Sequence, residues 1–368
     1  MIVLVVNMHA CVTYSHVGDW YMMSQPEPSM AAKVPFIVWQ SLLQSFFMGL
    51  LFFLAGYFAA GSLARRGPGG FARERLVRLG LPALLYMLVI HPFILLGLNP
   101  WDHDFGPPAA FYAHYLASGR FLGSSGPLWF AVALLLFSLA LAAATHLAVR
   151  RGGEPCSGPE SAPTPAPSAG ILVGAAFALG LGTFAVRIVQ PIGTNLLNLQ
   201  LCFFVQYTAW FAAGLHAARH GWLLPLAVSR RARTAGWLAL VGGPLALLAL
   251  LAAGMQGAPK EAFFGGWHWP ALGLAVWEQL TGLGLALGAL ALFSRRLHSD
   301  QPGWRWLGER SFAVYVLHAP VLVALAMLFR KLPYHLYGLV ALLTLTSLVG
   351  SFALADLARR IPGLRAIL

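Results

Sequence analysis

The stretch LFFLAGYFAAGSLARRGPGGFARERLVRLGLP, Leu51–Pro82, decides the fold. An apolar, aromatic-rich run ends in small residues. A loop of glycine, proline and arginine follows, and then a second apolar run begins. Two apolar segments joined by a basic turn read as a pair of membrane helices whose connection faces the cytoplasm, because cytoplasmic loops collect Lys and Arg. The rest of the chain repeats this grammar. Of its 368 residues, 58% are hydrophobic and only 10% charged, against about 25% charged in soluble domains. Mean hydropathy is +0.71. The unit to count is therefore the apolar stretch of about 20 residues that crosses the hydrocarbon core.

Ten such stretches are predicted, at 2–18, 36–62, 79–98, 126–149, 170–190, 197–217, 235–254, 269–293, 311–329 and 336–356. With the N-terminus inside, 18 Lys and Arg residues fall on cytoplasmic segments and 6 on outer ones. The expectation is an all-α polytopic membrane protein of about ten transmembrane helices, both termini cytoplasmic and lipid bilayer all round, forming one domain over 1–368. The Pro/Ser/Gly-rich segment 151–169 reads as a flexible cytoplasmic linker within it. No repeat of 20–50 residues is visible, and no inverted pair of broken spans marks a transporter.

The net charge of +12 is explained by these loops. Basic and aromatic residues do not interleave on any soluble-looking segment, so a nucleic-acid partner is excluded. The cysteines, Cys11, Cys156 and Cys202, form no CxxC pair and no zinc-like spacing with His, so neither a metal site nor a disulfide framework is expected. The first 15 residues lack the basic n-region and the cleavage site of a signal peptide and read as a mature helix.

Polar groups inside a membrane are costly and mark function. His9 lies within the first apolar run, VLVVNMHACVTYSH, Val3–His16, with Thr13 and His16 at i+4 and i+7 on the same helical face. An imidazole can take up and return a proton near neutral pH; it can equally hydrogen-bond a neighbouring helix as a packing group. Glu278 sits well inside the eighth span, Asp356 near the inner end of the last, and Arg187 near an outer end. His318 follows Ser311 and Tyr315 at helical spacing, and Trp129 opens the fourth span. Arg75 and Arg78 enter the third span at i and i+3. Two guanidinium forks at a membrane surface suit phosphate oxygens, whereas Arg65 and Arg66 need only the anchoring role. An intramembrane His and Glu could also serve a proton-coupled transporter or a flippase of a polar envelope precursor.

Eight segments in order, VVNMHACVTYS, FFLAGYF, RERLVRLGLP, PLWFAVALL, FAAGLHAARHGWL, WEQLTGLGLALGALALF, SFAVYVLHAPVLV and RIPGLRAIL, resemble the membrane acyltransferase-3 family. Within it they are most similar to the branch of glucans biosynthesis protein C, a glucan succinyltransferase. The resemblance implies a ten-helix inner-membrane enzyme that moves an acyl group, succinyl or acetyl, from cytoplasmic acyl-CoA to a hydroxyl of an envelope or periplasmic carbohydrate. Acyl-CoA would be a co-substrate, with no bound cofactor and no metal. The family's essential first-helix His falls on His9, and its paired arginines fall on Arg75 and Arg78. The resemblance leaves Glu278, His318, His16 and Trp129 as candidates for orienting His9 or lining a tunnel. The family's Arg eleven residues before that His would precede Met1, which leads to the expectation of a late start.

Overall fold

A computed structural model describes residues 1–102, 106–152, 164–296, 301–365 and 367. Cys156 and most of the expected linker lie outside the described residues. The labels used below are α1, Ile2–Ser15; α2, Met30–Arg75; α3, residues 76–102, with π-helical turns at Leu76–Gly80 and Tyr86–Ile90; and α4, Pro108–Ala117. They continue with α5, Trp129–Arg150; α6, Ala169–Val189; α7, Phe204–His220; and α8, Arg230–Met255. The last three are α9, Trp269–Arg296; α10, Pro302–Phe329; and α11, Leu336–Arg359. No strand occurs among the described residues.

Eight helical stretches of the described residues are long and apolar enough to cross a membrane. One of them, Met30–Leu98, runs to 69 residues and joins the expected spans 36–62 and 79–98. Its division falls at Gly67, whose φ of 67° and ψ of 170° are not helical. Only glycine adopts such backbone freely, and Pro68 follows it. The first helix is shorter than expected, with 14 residues rather than the whole of 2–18. Large apolar side chains such as Phe58, Phe93, Trp237 and Val349 are exposed on the outside of the bundle, as a lipid-facing surface requires.

The short first helix packs against two apolar clusters. Val6, Ala10, Cys11 and Tyr14 belong to an apolar cluster with Tyr86, Val316, Leu322 and Leu343. Val5 belongs to a second cluster with Phe52, Phe71, Leu134 and Tyr207. α1 thus wedges between two packed groups of helices. Asn7 fastens it: its amide donates to Thr344 Oγ1 at 3.2 Å and its carbonyl accepts from Trp39 Nε1 at 2.8 Å. Such cross-helix hydrogen bonds matter in a bundle that lipid surrounds, because burial of apolar surface no longer drives helix association there.

Small residues set the closest crossing. A Cβ added at Gly56 of α2 would stand 2.1 Å from the Phe211 carbonyl oxygen, and one at Gly214 of α7 would stand 2.0 Å from that of Phe53. The α2 and α7 backbones touch with no side chain between them.

Candidate active site

His9 occupies the middle of α1, and the chain returns to it. At the end of the helix His16 adopts a left-handed conformation, φ 58° and ψ 21°, and its N–H reaches the Val12 carbonyl at 3.1 Å. Its Nε2 lies 2.7 Å from the Ser24 carbonyl oxygen, and Ser24 N–H donates to the Thr13 carbonyl at 2.8 Å. These bonds fold the 17–29 loop back along α1 and lay Trp20 on the imidazole, with ring centroids 3.8 Å apart and planes 18° from parallel. His318 of α10 reaches the same ring at 5.4 Å and 22°. His9 is half-buried, and neither of its ring nitrogens has a hydrogen-bond partner among the described residues. Its contacts with Trp20 and His318 are made through the rings.

Thr13 shares the helical face of His9 and spends its hydroxyl on the His9 carbonyl, at 2.9 Å. His16 has left the helix, so the i, i+4, i+7 face ends at Thr13; the ring of His16 closes the loop rather than facing His9.

Around Trp20 stands a shell that spacing alone does not reveal. Tyr21 Oη lies 2.9 Å from Tyr86 Oη and 2.7 Å from His91 Nδ1. Burial pushes the Tyr21 phenol well above its ordinary pKa, so it stays a protonated donor. Gly126 presses on this shell: an added Cβ would lie 2.5 Å from Tyr21 Oη and 2.7 Å from Tyr86 Cε1. Asn198 holds that turn by donating to the Gly126 carbonyl at 2.8 Å and to Ser125 Oγ at 2.9 Å. Tyr315 donates to the Pro127 carbonyl at 2.5 Å, which ties α10 to the start of α5.

The other candidates are placed elsewhere. Trp129 stacks on Tyr207 at 5.6 Å, in the second apolar cluster. Glu278 accepts from Arg187 Nη2 at 2.6 Å, with both side chains buried. The pair joins α6 to α9 where the two helices approach closely: a Cβ at Gly180 would lie 2.8 Å from Val276 Cα. The Arg187 guanidinium also lies over the Phe203 ring, 5.1 Å from its centroid. Sequence reading placed Arg187 near the outer end of its span; it stands in the last turn of α6, with its side chain buried in an ion pair.

Arg75 and Arg78 stand where α2 passes into α3. Arg78 is exposed, 3.5 Å from Glu74, whose other oxygen accepts from Ser62 at 3.2 Å and pairs with Arg66 at 3.1 Å. Arg75 is half-buried over the Phe71 ring, and its Nε has no partner among the described residues. From Arg78 to His91 the chain climbs 13 residues, about 20 Å at helical rise. The arginines therefore lie at the start of α3, well below the Tyr21–His91 shell, which meets the helix near its middle. No group of three or more His, Cys, Asp or Glu among the described residues is placed to hold a metal ion.

The model of the acyltransferase-3 family, described as an acyltransferase domain, matches residues 1–356. The chain belongs to the acyltransferase-3 family. No curated protein and no solved structure matches it. Family membership together with the long apolar helices makes this acyltransferase-3 protein a membrane acyltransferase.

Proposed function

We propose that this acyltransferase carries an acyl group from cytoplasmic acyl-CoA to a hydroxyl of an envelope or periplasmic carbohydrate, with His9 as general base. The observation that carries the reading is the half-buried His9 imidazole, stacked under Trp20 with neither nitrogen hydrogen-bonded among the described residues. Arg75 and Arg78 hold the phosphates of acyl-CoA at the inner face, and the acyl-bearing arm runs beside α3 toward His9. His9 takes the proton of the acceptor hydroxyl as its oxygen attacks the thioester carbonyl. The C–S bond breaks, and the leaving sulfur takes the proton. Thioester-to-ester transfer is close to isoenergetic, so positioning and proton transfer are the main demands. Succinyl and acetyl groups both fit this chemistry; succinyl on a glucan follows the branch resemblance.

The test uses purified protein in liposomes with labelled acetyl-CoA or succinyl-CoA and an oligosaccharide acceptor. Label should appear as an ester on the sugar. A transporter or flippase would leave the thioester intact, and that result would overturn the reading. Arg75→Lys and Arg78→Lys should each raise KM for acyl-CoA about tenfold, because an ammonium keeps the charge but not the guanidinium fork. Arg65→Lys should change nothing. Equal effects at all three positions would return the pair to simple anchoring.

The proposed topology counts α1 and both limbs of the Met30–Leu98 stretch as crossings, which gives ten, with both termini inside a bacterial inner membrane. Reporter fusions after Arg151 and Arg233 should read cytoplasmic, and a fusion at Lys260 should read outside. A cytoplasmic signal at Lys260 would break this arrangement.

A further inference from the structure

His318 carries a constraint that fixes its chemistry. Its Nδ1 lies 2.7 Å from the carbonyl oxygen of Tyr315. A carbonyl only accepts, so Nδ1 bears the hydrogen, and in the neutral ring Nε2 bears the lone pair. That Nε2 is buried and has no hydrogen-bond partner among the described residues, in a side chain with 0% exposure. An acceptor stripped of water and left unpaired costs stability, and such groups are uncommon in folded proteins. This one belongs to the ring that meets His9 at 5.4 Å. α10 is pinned where the ring emerges: Tyr315, one turn earlier, is bonded to the Pro127 carbonyl.

We infer that His318 is the positioning partner of His9: its Nε2 accepts the N–H of the His9 nitrogen that faces away from the acceptor, while the other His9 nitrogen takes the proton of the acceptor hydroxyl. The inference rests on the reading of His9 as the base. The hydroxyl O–H bond breaks, its oxygen bonds to the thioester carbon, and the C–S bond breaks. The proton stays on the substrate-facing nitrogen of His9, whose other N–H is held by His318 Nε2, until the leaving sulfur takes it. His318 neither gains nor loses a proton overall. The Tyr315 carbonyl then does for His318 what an orienting carboxylate does in other histidine sites, fixing the tautomer so that the useful lone pair faces the reaction. Trp20 completes the arrangement by stacking on His9.

Two substitutions separate this role from packing. Phe keeps a flat ring for stacking but has no lone pair. Gln loses the ring and keeps an oxygen that accepts. His318→Phe should lower kcat roughly 10–100-fold, the worth of a hydrogen bond to a charged group, with KM for acyl-CoA unchanged. His318→Gln should stay within about tenfold of the wild type. The reverse order, or a His318→Phe enzyme with wild-type kcat, would overturn the inference while leaving His9 as the base. A folded wild-type protein that transfers no acyl group would overturn the reading of the site, and this inference with it. Melting temperatures of both variants are measured alongside. If His318→Phe fails to assemble, His318→Leu against His318→Gln makes the same comparison.

Discussion

His9→Ala should lower acyl transfer by about 10²–10⁴-fold, the usual worth of a general base, while the protein still inserts and purifies. His9→Gln should be nearly as inactive, since a carboxamide hydrogen-bonds but does not shuttle a proton at neutral pH. The pair is informative because His9 also touches Trp20 and His318. If those contacts were its whole purpose, both substitutions would lower the melting temperature and leave kcat of the folded fraction unchanged. Single-turnover rates on purified, monodisperse protein distinguish the outcomes. A His9→Gln enzyme with near-normal turnover would return His9 to helix packing.

The second large effect is expected at the Arg187–Glu278 pair. Removing either partner strands a charge that is buried against the other helix. Breaking a buried pair in this way typically costs about 3–5 kcal/mol. Arg187→Met and Glu278→Leu should therefore each lower the melting temperature in detergent sharply. The double variant should recover most of the loss, because two apolar side chains strand nothing. Activity should follow folded protein in all three. A Glu278→Leu variant that melts normally yet transfers nothing would instead place Glu278 in the chemistry, as its position inside the eighth span first suggested.

Hydropathy made the bundle legible. The expected span 126–149 corresponds to a helical stretch at Gly126–Arg150, and 170–190 to Ala169–Val189, because twenty apolar residues bounded by charge have few other places to go. Helix ends were harder to read. His16 ends α1 with positive φ, a conformation usually left to glycine or asparagine, so the expected span ran three residues past the helix and put His16 on the wrong surface. The residues around His9 were hidden for a different reason. Trp20 and Tyr21 lie in a loop with no period, and they meet His9, Tyr86 and His91 only because the chain doubles back. Arg187 and Glu278 were both visible, but 91 residues separate them, and spacing says nothing about which helix faces which. His9 stood out because an imidazole in an apolar run is conspicuous; that its nitrogens are unpaired is a property of the assembled bundle.

The glycine crossing of α2 and α7 has a consequence for how such a machine works. Where Gly56 meets the Phe211 carbonyl and Gly214 meets that of Phe53, there is no side chain to change rotamer and absorb a sliding motion. The two helices form one stiff strut. The 17–29 loop is attached differently, through side chains: Met22 is buried in the apolar cluster of α1, Trp20 and Tyr21 pack against it, and hydrogen bonds through His16, Tyr21 and Ser24 add to this hold. A reactant that reached the imidazole from this side would have to part Trp20 from the His9 ring, while the α2–α7 crossing has no such side chain to move.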